Sequence, residues 1–336
     1  MPIREKNIMH SVITSRAGGG LALAALAAGA ALVSLQASAQ SFPSKPVRII
    51  VPFPAGGSFD LTARLLAPKM QFGQNVIIEN RPGGGTVIGT EYVARQPADG
   101  HTILMIGPSF TSHAVLRSNL KFDTDKDFAS VTQVIGLNMG VTVNPSLPAK
   151  TINEMVELAR KRPGEMSFGS SGTGTSHHLL IEALAIASKT KLTHAPFQGA
   201  AQAVPANVGG HITGTFLNIA DTGPFVKQNK LKLLLVTSVR RDPSFPDVPT
   251  AREAGYPQVE AVNWSGFVVH SATPAAAIQR LNAETVKALN LADVRDNLQK
   301  QSMLATPTTP EEFAALIKSD GERYRRIIKE AGVRIE

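Results

Sequence analysis

The chain has no cysteine, one tryptophan and three tyrosines in 336 residues, and aromatic side chains make up 5% of it. Without cysteine there is no disulfide framework, no thiolate zinc or iron–sulfur site, no cysteine nucleophile and no acylated lipoprotein anchor. Few aromatics, with lysines and arginines scattered rather than clustered, exclude a basic-aromatic surface for nucleic acid. Charged residues at 18% and hydrophobic residues at 43% exclude a disordered or fibrous chain, and 28 glycines with 22 prolines give no collagen-like or low-complexity class. Beyond the first forty residues no apolar run approaches the ~20 residues a bilayer span needs.

What is present begins with an export signal. Arg4, Lys6 and Arg16 precede an alanine- and leucine-rich run over 18–35, and Ala37-Ser38-Ala39 follows with small residues in an A-x-A arrangement. This is the three-part layout of a cleaved signal peptide over 1–39, with the mature chain starting near Gln40. The run is short and glycine-rich for a membrane anchor. Removal of residues 1–39 takes the formal net charge from +8 to +6, since it removes three basic residues and Glu5. A mildly basic balance is compatible with anion binding and does not establish it.

The mature chain alternates short apolar runs with amphipathic stretches. Strands are predicted over 47–51, 75–79 and 102–106, with helices over 58–70 and 86–95 between them. In the first helix Leu61, Leu65, Leu66 and Met70 fall at helical spacing. The order implies a parallel sheet covered on both faces. A second unit repeats the scheme. Thr151 with Glu154 opens a helix that Pro163-Gly164 ends, and strands follow over 166–169, 193–197, 212–217, 231–237 and 266–270, with a helix over 177–188. Thr273-Pro274 and Thr309-Pro310 open two closing helices, the second with Glu312 in a capping box. The fold class expected is α/β, two doubly wound lobes around a cleft. Ligands in such sheets bind beyond the carboxyl ends of strands, so the loops there matter most.

Three glycine-bearing loops stand at those ends. Residues 52–58 read Pro-Phe-Pro-Ala-Gly-Gly-Ser. They make either a tight turn with Ser58 as helix cap, or a place where Gly56 and Gly57 bring backbone against an anion at a helix N-terminus. Arg81-Pro82-Gly83-Gly84-Gly85-Thr86 has Ile88 where a dinucleotide loop needs its third glycine, and no Walker loop occurs, so no nucleotide cofactor is expected. Residues 169–176 carry five hydroxyl side chains entering a helix and could cradle a carboxylate. The Gly-x-Ser-x-Gly elbow of a serine hydrolase is absent there, because Gly172 follows Ser171 directly. His177 and His178 are adjacent on a helix and face different ways, so they cannot hold one metal together; each reads more readily as a helix-start or packing histidine than as a base. Asp60 reads as a favourable charge in the first turn of its helix, and Trp264 as packing at the lobe junction.

Several of these segments together resemble a known family, the extracytoplasmic solute receptors of tripartite tricarboxylate transporters, or Bug family. The matching stretches are residues 43–57, Gly73-Gln74 through Gly83, Ala98-Asp99-Gly100, Phe168 to Leu179, and Phe245-Pro246-Asp247-Val248-Pro249-Thr250 with Glu253-Ala254-Gly255. The resemblance covers essentially the whole mature chain. It implies a periplasmic binding protein of type II that captures a small organic anion or related solute, delivers it to membrane permease subunits and does no chemistry. It implies lobes over 40–143 with 264–336 and over 144–263, and no cofactor or metal. Ligand contacts would then fall on Phe53, Pro54, Ala55, Gly56, Gly57 and Ser58, on Ser171, Gly172, Thr173, Gly174, Thr175 and Ser176, and on Gln198 and Gly199. Thr213, Pro205 and His270-Ser271-Ala272 depart from the family pattern. The loops 52–58 and 169–176 contain no arginine or lysine, so backbone N–H groups, hydroxyls and helix N-termini must hold a carboxylate. Two other readings compete: a secreted hydrolase using Ser170, Ser171 or Ser176 with His177, His178 or His194, and a receptor that informs a sensor partner instead of a permease.

Overall fold

The computed structural model describes residues 42–331. The signal peptide expected over 1–39 lies outside the described residues. The first lobe is built from β1 (Val47–Val51), α1 (Ser58–Leu66), β2 (Val76–Asn80), α2 (Val87–Ala94), β3 (Thr102–Ile106) and α3 (Ser109–Leu116). The long β4 (Phe128–Val143) leads to α4 (Ile152–Lys161), β5 (Ser167–Ser170), α5 (Ser176–Ser188), β6 (Thr193–Pro196), α6 (Ala200–Val208), β7 (Gly214–Asn218), α7 (Ile219–Lys227) and β8 (Lys232–Val236). The chain returns through β9 (Val262–His270) and closes with α8 (Ala275–Leu289), α9 (Ala292–Lys300), β10 (Met303–Ala305) and α10 (Pro310–Ala331).

The sheet order is β2-β1-β3-β9-β4-β7-β5-β6, with β8 and β10 also paired to β4. Each lobe has a parallel centre: β1 lies between β2 and β3, and β5 between β6 and β7. A strand covered on both faces needs apolar side chains at nearly every position. β1 supplies them with Val47, Ile49, Ile50 and Val51 buried. Its exception, Arg48, donates to Tyr92 Oη, Gln96 Oε1 and Thr102 Oγ1 at 2.8, 3.0 and 3.1 Å.

β4 belongs to both halves. Up to Asn138 it pairs with β9, and from Met139 it pairs with β7. Each lobe has its own core: Ile50, Leu104, Phe110, Trp264 and Phe313 in the first, and Met139, Met155, Phe168, Ile181 and Phe216 in the second. Trp264 packs edge-on against Phe313 with ring centroids 5.4 Å apart, and its indole N–H donates to Asp320 at 3.3 Å.

Local chemistry shifts some predicted ends. The first helix stops at Leu66 and continues as a 3₁₀ turn over Ala67–Lys69, because Pro68 has no N–H to extend the ladder. The Thr309–Glu312 capping box closes reciprocally, at 2.9 and 3.2 Å. That of Thr151 closes one way only, since the Glu154 carboxylate takes the Lys150 N–H instead. Pro205 lies inside α6 without ending it.

Candidate functional site

The turn after β1 carries the chain from Pro52 to α1. Gly56 has φ 92°, a left-handed backbone that favours glycine. Gly57 has φ −85° and ψ 167°, open to any residue. Gly57, not Ser58, is the N-cap, and no side chain of the turn caps the helix. The expectation that Ser58 caps α1 is therefore corrected: a cap side chain must stand one residue earlier, where there is only a hydrogen. Asp60 does more than sit favourably in the first turn. Its buried carboxylate accepts from the Gly56 N–H at 2.9 Å, Asn80 Nδ2 at 2.9 Å and Arg64 Nε, which fixes the turn against β2. Burial alone would raise its pKa, but the Arg64, Gly56 and Asn80 donors hold it below the usual value.

The group that meets the α1 N-terminus comes from the other lobe. Asp221, in the first turn of α7, accepts from the Ser58 N–H at 2.7 Å and from Ser58 Oγ at 3.2 Å. Asn218 Nδ2 donates to the same carboxylate at 3.0 Å and to Ser58 Oγ at 3.1 Å. Burial pushes Asp221 up from its ordinary value, opposed by the Ser58 and Asn218 donors.

From Asn218 the polar chain continues into the second lobe. Asn218 Oδ1 accepts from Asn263 Nδ2 at 2.7 Å and lies 3.2 Å from His177 Nε2. An amide oxygen only accepts, so Nε2 carries the ring proton and Nδ1 accepts the Ser171 hydroxyl, 2.7 Å away. Burial lowers the His177 pKa to about 4, against the Asn218 hydrogen bond, so the ring is neutral near pH 7.

These groups border one partly open space with room for about two waters in its interior, about 30 Å³. Of the residues expected to contact ligand, Phe53, Pro54, Gly57, Ser58, Ser171, Ser176 and Gly199 line it. The Ser176 hydroxyl is hydrogen-bonded to Tyr324 of α10. Gly172, Thr173 and Gln198 instead line a separate groove with Gly83, Gly84, Gly85 and Arg117, and Gly56 opens on a third space beside α6 and α7. Ala55, Gly174 and Thr175 line none of these; Thr175 caps α5 by accepting the His178 N–H.

Sequence reasoning missed Ser109, Asn218, Asp221 and Asn263, all of which line the cleft. The rule that ligands sit beyond the carboxyl ends of strands points to Asn218, the last residue of β7, and through it to Asp221 one turn on. His177 lies within the lining, between Ser171 and Asn218, rather than serving only as a helix-start residue. No lysine or arginine lines the space. Among the described residues no three metal-ligating side chains are grouped to hold an ion, and no helix is long and apolar enough to cross a membrane.

Ser171, His177 and Asn218 follow the order of a nucleophile, base and orienting group. A base with pKa near 4 is poorly matched to deprotonating a serine at neutral pH. Ser170 has its own histidine, His194 Nε2 at 2.6 Å, and burial together with the charge of the stacked His178 lowers that ring to about 3.

A family model described as "Tripartite tricarboxylate transporter family receptor" matches residues 62–333. A protein of Pseudomonas sp. strain P51, described as the UPF0065 protein in the tcbD-tcbE intergenic region, is 35% identical over 293 residues, covering 86% of this chain and 87% of its own. Protein BugT of Bordetella pertussis is 29% identical, covering 90% of this chain and 94% of its own. Among solved structures, the periplasmic binding protein BugD superposes with TM-score 0.84 at 28% identity, covering 88% of this chain and 100% of BugD. Rpa4515 of R. palustris with adipate gives 0.84 at 26% identity, covering 88% of this chain and 99% of its own. MatC of Rhodopseudomonas palustris with bound malate gives 0.82 at 29% identity, covering 85% and 100%.

Proposed function

The chain belongs to the tripartite tricarboxylate transporter receptor family, and from that premise we propose that it captures a small carboxylate or related solute in the periplasm and delivers it to the permease subunits of such a transporter. One observation carries the reading. The Ser58 N–H at the start of α1 donates to the Asp221 carboxyl group at 2.7 Å, which supports the reading that carboxyl groups at this cleft are held on backbone and hydroxyl donors. Relatives of the same fold hold adipate and malate. A few charge-assisted hydrogen bonds of roughly 1.5–3 kcal/mol each suffice for micromolar binding.

The lobe boundaries proposed are 40–143 with 264–336 and 144–263; the change of β4 from β9 to β7 between Asn138 and Met139, a few residues before the first of them, supports a division in this region. Closure of the walls around the solute is part of this reading. Small-angle scattering should show a smaller radius with solute than without. The protein acts by binding and does no chemistry on its solute; an activated ester should release no burst of product. Mass spectrometry of ligand retained through native purification tests the reading directly. A carboxylate at one per chain is the expected result, and failure of every carboxylate in a titrated panel to bind would overturn it.

A further inference from the structure

α3 ends on a cation with no counter-charge. Arg117, the residue after Leu116, donates through Nε to His113 Nδ1 at 3.3 Å. His113 Nε2 lies 2.8 Å from the Gly85 carbonyl oxygen. A carbonyl only accepts, so Nε2 carries the ring proton and Nδ1 takes the Arg117 N–H; one tautomer serves both bonds. Burial lowers the His113 pKa to about 4, so the ring keeps that form near pH 7. The arginine is thus tied through a buried ring to the glycine loop after β2. Its Nη1 and Nη2 groups have no hydrogen-bond or ion-pair partner among the described residues.

Arg117 lines an open groove of about 440 Å³, and no acidic side chain lines it. Gly84, Gly85 and Arg117 come to this groove from the first lobe, and Thr173, Gln198 and Gln202 from the second. The lobes touch here through backbone: a Cβ at Gly85 would lie 2.5 Å from the Thr173 carbonyl oxygen. The lining is rich in unspent donors. Gly84 and Gly85 have φ 60° and 69°, and their N–H groups find no acceptor among the described residues. Successive N–H groups in such turns form concavities suited to anions. The Thr173 hydroxyl and the Gln202 Nε2 group donate to nothing, while Gln202 Oε1 is already taken by the Gln198 N–H at 3.4 Å.

We propose that this groove is a second anion site, separate from the solute cleft, in which Arg117 holds a small oxyanion, a carboxylate or phosphate group. A planar guanidinium pairs with such groups through two parallel N–H bonds. An anion here is touched by both lobes, so it favours the lobe arrangement of this structure and, by reciprocity, strengthens binding of the solute in the cleft.

The test begins with calorimetric titration of the purified protein with inorganic phosphate, sulfate and acetate in separate arms. The expected result is one site per chain for at least one of them, weakened about tenfold or more in Arg117→Gln. Arg117→Lys keeps the charge without the planar fork; it should fall between the two, and it serves where Arg117→Gln does not fold. Binding of none of the three anions, or binding undiminished in the Arg117 variant, overturns the site. Succinate, malate, glutarate and adipate are then titrated with and without the saturating anion. A dicarboxylate that binds should bind more tightly with the anion present. Mutual displacement overturns the second site and leaves the carboxylate-receptor reading standing; equal affinity overturns the link between the two sites. A panel that does not bind at all counts against the receptor reading alone, since the first titration decides the groove by itself.

Discussion

Two helices open onto the same cleft from opposite lobes, and they begin alike but end up different. α1 and α6 each start from a glycine, Gly57 and Gly199, and neither is capped by a side chain of its own turn. Each exposes the partial positive pole of a helix N-terminus. α1 meets the Asp221 carboxyl group; the first residues of α6 line the shared space and a second one beside it. The same electrostatic device is thus consumed internally at one wall and left available at the other. One carboxyl group placed on one of two similar helix starts is enough to make them chemically different.

The sharpest way to break the comparison is to fill the α6 end. A Cβ at Gly199 would lie 2.9 Å from Pro54 Cδ on the facing wall. Gly199→Val should prop the walls apart and weaken solute binding by about 1–3 kcal/mol, roughly 5- to 150-fold. Calorimetry with the solute recovered from native protein checks this, and undiminished affinity would place the solute elsewhere.

A second prediction concerns the neutral ring between the poles. Unfolded, His177 takes up a proton near the ordinary 6.5; folded, burial delays this to about 4. The unfolded chain therefore binds more protons within that window. The stability from this group is complete above it and falls as pH drops toward 4, by on the order of 2–3 kcal/mol. His113, lowered to about 4 by burial, adds to the same trend. Urea denaturation at pH 7.5 and 4.5 should show the loss, and His177→Gln should reduce it. An equal loss in the variant would remove His177 from the account.

Next comes the filled pole itself. Asp221→Ala leaves the Ser58 N–H and the Asn218 amide without this acceptor and should cost about 1–3 kcal/mol in denaturant melts. Asp221→Asn, which keeps an acceptor oxygen, should cost less. If the alanine variant is as stable as the wild type, the α1 pole is not held by this contact.

The smallest effect separates two neighbours. Gly56→Ala forces a side chain onto a left-handed backbone and should cost about 1 kcal/mol. Gly57→Ala puts its Cβ 3.9 Å from Asp221 Oδ1, an ordinary contact, and should change stability by less than about 0.5 kcal/mol. Thermal melts of the pair decide it; reversed sensitivities would mean that the turn is wound differently.

How much of this was legible depended on distance along the chain. β1 announces itself because four of its five residues carry a buried strand's chemistry. β4 does not. Its register shifts between Ser130 and Thr132 and again between Gln133 and Ile135, so inward and outward positions lose the simple alternation that marks a strand. α3 is short, and its five buried residues, Ser109 to His113, mix polar and apolar types, so it lacks the separate apolar and polar faces that would mark it as a helix. In the site, the glycine and serine loops stood out by composition, and six of their residues came to the cleft. Asp221 could not stand out. An aspartate in a helix's first turn reads as a local charge on that helix, and what it does instead depends on a partner 163 residues away.

The path of β4 also sets an order of assembly. All strands paired around its second half, β5 to β8, are complete by Val236. The first half must wait for β9 and β10, which begin at Val262 and Met303. A chain emerging from its N-terminus can therefore finish the later lobe first, from contacts of modest sequence separation, while the earlier lobe holds β1 to β3 until its partner strand β9 arrives. The lobe that starts first is the last to close.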